Sequence, residues 1–449
     1  MAPQRFEMLV GLYGDGPAAD ILSEDTLIRS WLRVEAALAT AQADLGVLDR
    51  EHAAAITAAC TTENIDTARL WRETRNVGYP ILPLVRQLDA ALPARHRGHV
   101  HYGATTQDIM DSGLALQFGA AADRLADLLG RFGDAMAVLA ETHVRTVIAG
   151  RTHAMQAVPT TFGAKIATYV AELARHRERL AAARGRVAVV SLFGAGGSSA
   201  AYGEKSVAIR ARVAELLELA STDVPWHVAR DGVAEFGLVC ALLSATCTRF
   251  AREVVDLSRT EIAEVAEASG HLRGASSTMP QKANPVEAEA VIGIGVTAAA
   301  LSSALFRVME AGHERAAGEW QAEWQVVPQL ISLAAGSLVT SASIAGGLQV
   351  FPEAMRRNLT ADGGLVMAEA YMMRLAPYLG REHAHELVYA AVRRCRESGE
   401  ALGDVLGEML TGQAAAEIAA ELAPESYVGR PEDTVGAALG MWRGHDSKN

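Results

Sequence analysis

Apolar residues recur along this chain at the spacing of one face of an α-helix. The first stripe lies shortly after Ser23, a residue type that often caps helix N-termini by accepting a hydrogen bond from a free backbone N–H. Its members are separated by three, four or seven positions: Leu27, Trp31, Val34, Leu38 and Leu45. This spacing predicts an amphipathic helix over residues 27–45.

Much longer stripes occupy the middle of the chain. One of them consists of Leu114, Phe118, Leu125, Leu128, Phe132, Met136 and Leu139. The same periodicity predicts further helices over residues 161–186, 232–268, 286–312 and 320–346. No proline lies between Pro93 and Pro159 or between Pro159 and Pro225. Because proline inside a helix costs about 3 kcal/mol, such intervals leave room for long helices.

We therefore predict an all-α fold of three domains with a central bundle of long helices. The polar stretch 98–111 separates a first domain, 1–110, from the bundle at 111–351, and glycines near residue 347 precede a C-terminal domain, 352–449. Wide apolar stripes on such long helices exceed what one chain covers, so we expect an oligomer. The alternative is a monomer with ordinary core helices.

Charge and composition argue against two classes of partner, nucleic acids and membranes. The net charge of -12 and the pI near 5.6 argue against nucleic acid, because phosphate binding needs a basic face. No window of about 18 residues lacks charged and polar side chains, and residues 1–10 lack the pattern of a secretory signal. We therefore expect neither a membrane span nor export.

The four cysteines are scattered without the spacing of a metal site or a disulfide framework, which predicts a reduced, cytoplasmic protein without a metal. The glycine-rich stretch 192–199 lacks the remainder of a phosphate-binding motif, so we interpret it as a connection between helices. The chain indicates no cofactor.

Three polar segments lie at the ends of the predicted long helices. In the first, at 99–108, Thr105, Thr106 and Gln107 precede a helix predicted from about residue 109. Hydroxyl and amide side chains beside free N–H groups at a helix start form an anion site, since the helix dipole is positive there. The alternative is a simple N-cap with polar neighbours.

The second segment, at 150–159, contains His153, which can donate or accept a proton near neutral pH. A single histidine is more often a core residue, so a functional role for His153 is supported only by the other polar segments.

The third segment, at 274–289, has three hydroxyl residues in succession, starting at Ser276. Lys282 and Asn284 follow, and Pro285 suits the first position of another helix. A loop of this composition can close over a substrate and place a serine beside it. Lys282 supplies the positive charge that an acidic protein needs to hold a carboxylate.

In this order and spacing, the three segments resemble the signature regions of the fumarase/aspartase superfamily. The third segment, Ser276 to Pro285, carries most of the resemblance, which extends over nearly the whole chain, including residues 359–392. Members include adenylosuccinate lyase, argininosuccinate lyase, fumarase, aspartase and 3-carboxy-cis,cis-muconate cycloisomerase. The resemblance implies a homotetramer whose active sites each take their signature regions from three different subunits.

The resemblance also implies roles for residues. Ser276 matches the general base that removes a proton from the carbon next to a carboxylate, giving an aci-carboxylate. His153 matches the general acid, acting directly or through water, and Glu289 matches the glutamate that pairs with this histidine. Lys282 completes the catalytic set and grips a substrate carboxylate. We assign the remaining candidates to substrate binding: His101, Thr105, Thr106, Gln107, Thr152, Gln156, Ser277, Met279, Asn284, Arg230 and Arg315.

Departures from the family patterns bear on the substrate. After Arg315, adenylosuccinate lyases have serines and an arginine that hold a phosphate, whereas this chain has acidic and indole side chains at 319–324. Met155 also replaces a glutamine of the nucleotide lyases, so we expect no nucleotide substrate. We expect Trp320 and Trp324 to line the pocket instead.

The string 320–324 is similar to the cycloisomerase branch, but 281–284 reads Gln-Lys-Ala-Asn where that branch often has His-Lys-Arg-Asn. Ala275 also replaces a glycine. We therefore predict a lyase that eliminates an amine, nitrite or similar group from a small substituted succinate, releasing fumarate. The alternative is the lactonising cycloisomerase, and in either case we expect a small di- or tricarboxylate as the substrate. A third hypothesis is a catalytically silent relative, as the lens crystallins of this superfamily are.

Overall fold

A computed structural model describes residues 12–418 and 422–444 of the chain. Its α-helices from the start to the middle of the chain are α1 (Gly16–Ile21), α2 (Glu24–Asp44), α3 (Arg50–Ala59), α4 (Thr67–Val77), α5 (Ile81–Ala91), α6 (Thr106–Thr142), α7 (Phe162–Val187), α8 (Ser206–Leu217) and α9 (Asp231–Leu257). Those that follow are α10 (Val286–Ser302), α11 (Ala304–Val308), α12 (Glu319–Gly347), α13 (Pro352–Leu359), α14 (Ala368–Leu379), α15 (Arg381–Ser398), α16 (Leu402–Met409), α17 (Gly412–Ile418) and α18 (Pro431–Arg443). The predicted all-α class is confirmed.

Two short antiparallel strand pairs accompany the helices in the described residues. β1 (Val147–Thr152) pairs with β2 (Met155–Thr161), and β3 (Val265–Ala266) pairs with β4 (Gln349–Val350). The periodicity of the sequence predicted none of these strands, because each is too short or too mixed in polarity to show a two-residue alternation.

The chain divides into two compact units. The first consists of residues 1–129, 176–245 and 293–339, and the second of residues 130–175, 246–292 and 340–449. The boundaries between them fall inside the helices α6, α7, α9, α10 and α12. The three-domain division at 1–110, 111–351 and 352–449 stays a prediction.

The core of the first unit includes the apolar face of α2. Ser23 caps this helix as predicted, since its Oγ accepts the N–H of Thr26 at 3.2 Å. Trp31, Val34 and Leu38 are each 1% exposed and pack in one cluster with residues of α5 and α8. The predicted amphipathic helix at 27–45 is therefore confirmed.

The core of the second unit is built by the short C-terminal helices. Tyr371 and Leu375 of α14, Val388 of α15 and Leu406 of α16 are buried in one cluster, which also includes Val147 of β1. The N-terminal strand of the first hairpin is thus held by the apolar faces of these helices.

Several helix boundaries differ from the periodicity. The helix predicted over 232–268 ends at Leu257, where the carbonyl oxygen of Leu257 accepts the N–H of Glu264 and the chain turns into β3. The helix predicted over 286–312 is interrupted between α10 and α11. The helix expected from about residue 109 begins at Thr106. The residues at the first two ends, 258–263 and Ser303, are exposed or half-buried. Apolar spacing alone does not mark such short turns, so the predicted helices extended past them.

Three segments in the described residues are long and apolar enough to cross a membrane by length and composition: 231–257, 286–308 and 319–347. Our exclusion of a membrane span from the sequence was wrong as argued, because it required windows free of all polar side chains. In 231–257 and 319–347, 61% of the most apolar window is buried inside the structure, whereas in 286–308 the share is 28%. Val296 and Phe306 are 59% and 60% exposed there.

Candidate active site

The first polar segment is held in the first unit by a buried carboxylate, Asp108. Its Oδ2 accepts the backbone N–H groups of Thr105 at 3.0 Å and Gly194 at 2.9 Å. Its Oδ1 accepts from the N–H of Phe193 and from Nε2 of His227, both at 2.9 Å. Sequence reasoning passed over Asp108, although a threonine three residues before an acid is the signal of a capping box. Asp108 ties the start of α6 to the glycine-rich connection at 192–199.

Gln107 is buried and all three of its hydrogen bonds go to the protein. Its Nε2 donates to Oδ2 of Asp111 at 3.0 Å and to the carbonyl oxygen of His227 at 2.9 Å. Its Oε1 accepts from Nη1 of Arg315 at 2.8 Å. The structure thus brings Gln107 and Arg315 together, and in this arrangement Gln107 orients the guanidinium rather than presenting its own amide to a substrate. Both predicted substrate contacts stay predictions.

Thr105 and Thr106 lie beside this pair, at the first turn of α6. Both are half-buried, and their hydroxyl groups have no hydrogen-bond partner among the described residues. These two hydroxyl groups are free to bind an anion at this helix start.

Arg230 lies at the centre of a buried ion-pair network. Its Nη1 donates to Oδ2 of Asp111 and its Nε to Oε2 of Glu323, each at 2.9 Å. Burial lowers the pKa of Arg230, but the charges of Asp111 and Glu323 outweigh it and raise the pKa above the usual value. Because two buried carboxylates already neutralise its charge, Arg230 fits a structural role better than the predicted contact with a substrate.

The indole string belongs to the same core. Trp320 is 2% exposed, stacks on Tyr79 with ring centroids 5.8 Å apart, and donates Nε1–H to Oδ1 of Asp111 at 3.2 Å. The ring of Trp324 packs edge-on against both Trp320 and Tyr79. The expectation that Trp320 lines a pocket was wrong, because its ring is enclosed by the core of the first unit.

His101 also lies in the first unit. Its Nδ1 is 2.7 Å from Oε1 of the buried Glu35 on α2, and its backbone is left-handed with φ of 62°. Sequence reasoning missed Glu35, which is one acid in an otherwise apolar helix face.

In the second unit, the second polar segment is a β-hairpin with a two-residue turn. Arg151 pairs with Gln156 and Thr152 with Met155, which leaves His153 and Ala154 in the turn. Their φ angles are 50° and 66°, a left-handed pair that normally selects Asn and Gly. Side chains with a Cβ are strained in this turn, and such strain clusters at functional sites. The turn exposes Thr152 and His153 at the tip of the hairpin.

The base of the hairpin is fixed by a network that sequence reasoning missed. Arg151 binds the buried Glu264 through two parallel hydrogen bonds of 2.8 and 2.7 Å. Asn358 donates Nδ2–H to Oε1 of Glu264 at 2.9 Å, and its carbonyl oxygen accepts Nε2–H of Gln156 at 3.1 Å. Oε1 of Gln156 is buried without a partner among the described residues. The network holds the strand on both sides of His153.

The serine loop lies in the second unit as well. Oγ of Ser276 accepts the backbone N–H groups of Thr278 at 3.3 Å and Met279 at 3.2 Å. Two N–H dipoles aimed at one hydroxyl oxygen stabilise negative charge on it, which a serine needs in order to act as a base. Ser277 and Lys282 are exposed on the same loop.

The loop is closed at its base by Gly274 and Asn284. The carbonyl oxygen of Gly274 accepts from the backbone N–H of Asn284 at 2.8 Å and from its Nδ2 at 3.0 Å. Ala275 and Ala283 form an antiparallel bridge beside this pair. Asn284, predicted to bind a substrate carboxylate, therefore donates its amide to the loop itself in this structure.

Within the described part of the second unit, no hydrogen bond or ion pair joins Ser276, His153, Lys282 or Glu289 to one another. Glu289 is exposed on the first turn of α10. The predicted pairing of Glu289 with His153 is thus not made within the chain and stays a prediction.

We expect Gly274→Ala to lower catalytic activity by on the order of 10- to 100-fold while the unfolding temperature changes little. Gly274 has φ of 66°, and a Cβ there would lie 2.4 Å from the backbone oxygen of Asn284, so the loop base must open. Turnover and thermal unfolding check this. Gly270→Ala, in the same loop but without positive φ or a close contact, is the matched control. Equal activity of the two variants would contradict the prediction.

Comparison with known proteins agrees with the family that the three polar segments resemble. A family described as lyase matches residues 17–299, and one described as adenylosuccinate lyase C-terminus matches residues 364–438. The 3-carboxy-cis,cis-muconate cycloisomerase of Pseudomonas aeruginosa is 41% identical over 389 residues, which cover 86% of this chain and 85% of that protein. The nitrosuccinate lyase of Streptomyces davaonensis is 36% identical over 397 residues, covering 86% and 84%.

A solved structure is similar over almost the full length. The 3-carboxy-cis,cis-muconate lactonizing enzyme from Pseudomonas putida superposes with a TM-score of 0.91 at 37% identity, and the match covers 98% of this chain and 99% of that one. Sequence and fold therefore agree, and this chain is an enzyme that belongs to the fumarase/aspartase superfamily.

Proposed function

We propose that this enzyme catalyses β-elimination on a small substituted succinate, with Ser276 as the general base. The observation that carries the proposal is the position of Oγ of Ser276 beneath two backbone N–H donors, in a loop that Gly274 and Asn284 close. A proton next to a carboxylate is weakly acidic, and a serine held this way is equipped to remove it.

The proposed reaction has two steps. The alkoxide of Ser276 takes the proton from the carbon next to one carboxylate, and the electron pair moves onto that carboxylate to give the aci-carboxylate, which Lys282 stabilises. The pair then returns to form the carbon–carbon double bond, and the leaving group departs with the electrons of its bond to the β-carbon. His153 donates a proton to the leaving group, directly or through water. The products are fumarate and an amine, nitrite or similar group.

Two observations support a small carboxylate substrate. Glu323, which stands where nucleotide lyases hold a phosphate, is 1% exposed and bound to Arg230, so this segment offers no cation to a phosphate. A relative at 36% identity is named nitrosuccinate lyase, and nitrosuccinate is a substituted succinate.

The second candidate is the lactonising cycloisomerase. It is favoured by the relative at 41% identity and by the solved structure at TM-score 0.91, both of which carry that activity in their names. In this reaction a carboxylate of the substrate adds to a double bond of the same molecule, and a proton is added to the carbon next to a carboxylate. Because no group leaves, fumarate does not form.

The two functions are separated by one assay. The purified enzyme is given nitrosuccinate, aspartate, N-substituted aspartates and 3-carboxy-cis,cis-muconate in parallel, and products are identified by proton NMR. Fumarate from a substituted succinate supports the elimination. Lactone from carboxymuconate, with no fumarate from any succinate, overturns it in favour of the cycloisomerase. No turnover of the whole panel would favour the silent relative.

We further propose a homotetramer in which each active site draws on more than one subunit. The segment 286–308 leaves most of its apolar window unburied within one chain, and no hydrogen bond among the described residues joins Ser276 to His153. Burying that segment against copies of itself removes the exposed apolar surface. Light scattering should give a mass of about four times 47.5 kDa; a monomeric mass would contradict the proposal. A cytoplasmic location stays a prediction.

A further inference from the structure

Glu35 is a buried acid on the apolar face of α2. Its side chain is 1% exposed, and its neighbours along the helix, Trp31, Val34 and Leu38, belong to the core of the first unit. Removing an ionised carboxylate from water is costly unless a partner compensates. An acid that breaks the apolar pattern of its own helix marks a position where function overrides packing.

The single partner of this carboxylate among the described residues is His101. Oε1 of Glu35 lies 2.7 Å from Nδ1 of His101, and Oε2 has no partner there. An ionised carboxylate only accepts hydrogen bonds, so Nδ1 of His101 carries the proton and donates it. Nε2 is then the ring nitrogen left for another ligand, and no described residue binds it.

The backbone around His101 is held to the same helix. Gln42, further along α2, donates Nε2–H to the carbonyl oxygen of Tyr102 at 2.7 Å. His101 has a left-handed φ of 62°, a conformation that persists only where the surroundings enforce it. Gly103 follows with φ of 80°, and a Cβ there would lie 2.5 Å from the ring of Tyr202. Two polar side chains of α2 and a close ring contact thus determine where the imidazole stands.

The electrostatics favour the charged imidazole. Burial lowers the pKa of His101, but the charge and hydrogen bond of Glu35, together with the charge of Asp108, raise it above the usual value. The other titratable groups near Glu35 are neutral at neutral pH, since burial raises the pKa of Cys60 to about 12 and also raises the pKa of Tyr202. Glu35 and Asp108 are therefore the charges that act on the ring.

We propose that Glu35 is a positioning residue for the proposed elimination: it accepts Nδ1–H of His101 and fixes the orientation of the charged imidazole, so that Nε2–H is presented to a carboxylate of the substrate. The proposal rests on the proposed function in one respect, that His101 contacts the substrate. The pairing itself is a property of the fold.

The first test is Glu35→Gln, which keeps the shape of the side chain and removes its charge. We expect kcat/KM to fall about 10- to 100-fold, the range for a lost charge-assisted hydrogen bond. Because the charge of Glu35 raises the pKa of His101, the alkaline limb of the pH–rate profile should move to lower pH in the variant. Glu35→Asp, which keeps the charge, should keep that limb near the wild-type position.

Glu24→Gln is the matched control, since Glu24 is an exposed acid on the first turn of the same helix. It should leave both kcat/KM and the pH profile unchanged. A Glu35→Gln variant that folds, assembles and keeps the wild-type pH profile would overturn the proposal, because a merely structural acid would not move a catalytic limb.

A second measurement separates this proposal from the proposed function. The histidine ring protons of 13C-labelled protein are titrated by NMR, and the signal of His101 is identified by its loss in His101→Gln. A lower pKa of His101 in Glu35→Gln than in wild type supports the pairing even if every substrate in the panel fails. An unchanged pKa refutes it even if fumarate forms. In the active enzyme, Glu35→Gln should add less than about twofold to the loss caused by His101→Gln, since both act through one ring.

Discussion

Ser276→Ala should lower the turnover rate by about 10²- to 10⁴-fold, which is the contribution of a positioned base. Substrate binding and assembly should persist. The variant removes the oxygen that accepts the N–H groups of Thr278 and Met279, and it removes nothing that packs, because the loop side chains around it are exposed. The expected signature is a large loss in kcat with a small change in KM or in binding measured by calorimetry.

The control for this variant is Ser426→Ala. Ser426 is an exposed serine of the second unit whose Oγ donates to the carbonyl oxygen of Ala423 at 2.7 Å. Its loss should leave turnover within about twofold of wild type, because Ser426 is exposed and its hydrogen bond is local. If Ser276→Ala retained near-normal turnover, the base would have to be another group, and the loop geometry would have a different purpose.

Arg230→Ala should destabilise the first unit by about 3–5 kcal/mol, because it leaves the buried carboxylates of Asp111 and Glu323 without their cation. Both acids are at most 1% exposed, so water cannot replace the guanidinium without opening the core. Denaturant unfolding at fixed protein concentration measures the loss. The expected change is large beside the stability of a typical protein, so poor expression of the variant is part of the expected result.

Arg29→Ala is the matched control for Arg230→Ala. Arg29 pairs with Asp25 on the surface, where both side chains are more than half exposed, and such pairs contribute at most about 1 kcal/mol. The comparison also separates two roles of Arg230. If Arg230 were a substrate cation, the variant would unfold like wild type and show a raised KM instead.

The first signature segment positions a residue from elsewhere in the chain, since Gln107 accepts a hydrogen bond from Arg315. The amide of Gln107 forms hydrogen bonds with Asp111, His227 and Arg315. Its contribution is therefore to orient the half-buried guanidinium of Arg315. The second segment follows the same rule, since Gln156 and Arg151 hold the hairpin while Thr152 and His153 stand at its tip. In both segments, residues with long polar side chains orient the groups beside them.

The sequence by itself was sufficient for the features that depend on neighbours a few residues apart. Helix periodicity and the cap of α2 by Ser23 arise within single turns, so they could be predicted and were confirmed. The same holds for the all-α class, which follows from many such stripes. The superfamily was recognised because the loop from Ser276 to Pro285 is one contiguous run of residues, which can be compared with a family signature without knowledge of the fold.

The tertiary structure alone decided which distant groups meet. Arg151 meets Glu264 across 113 positions, and Arg230 meets Asp111 across 119, so no local pattern announces either pair. The same distance problem hid the pairing of Glu35 with His101, 66 positions away. The hairpin turn of His153 is local, but its strands are too short and mixed in polarity to show in the sequence pattern. Side-chain identity limits what a residue can do, but burial and a partner's charge, which the fold sets, determine whether Arg230 binds a substrate or stabilises the core.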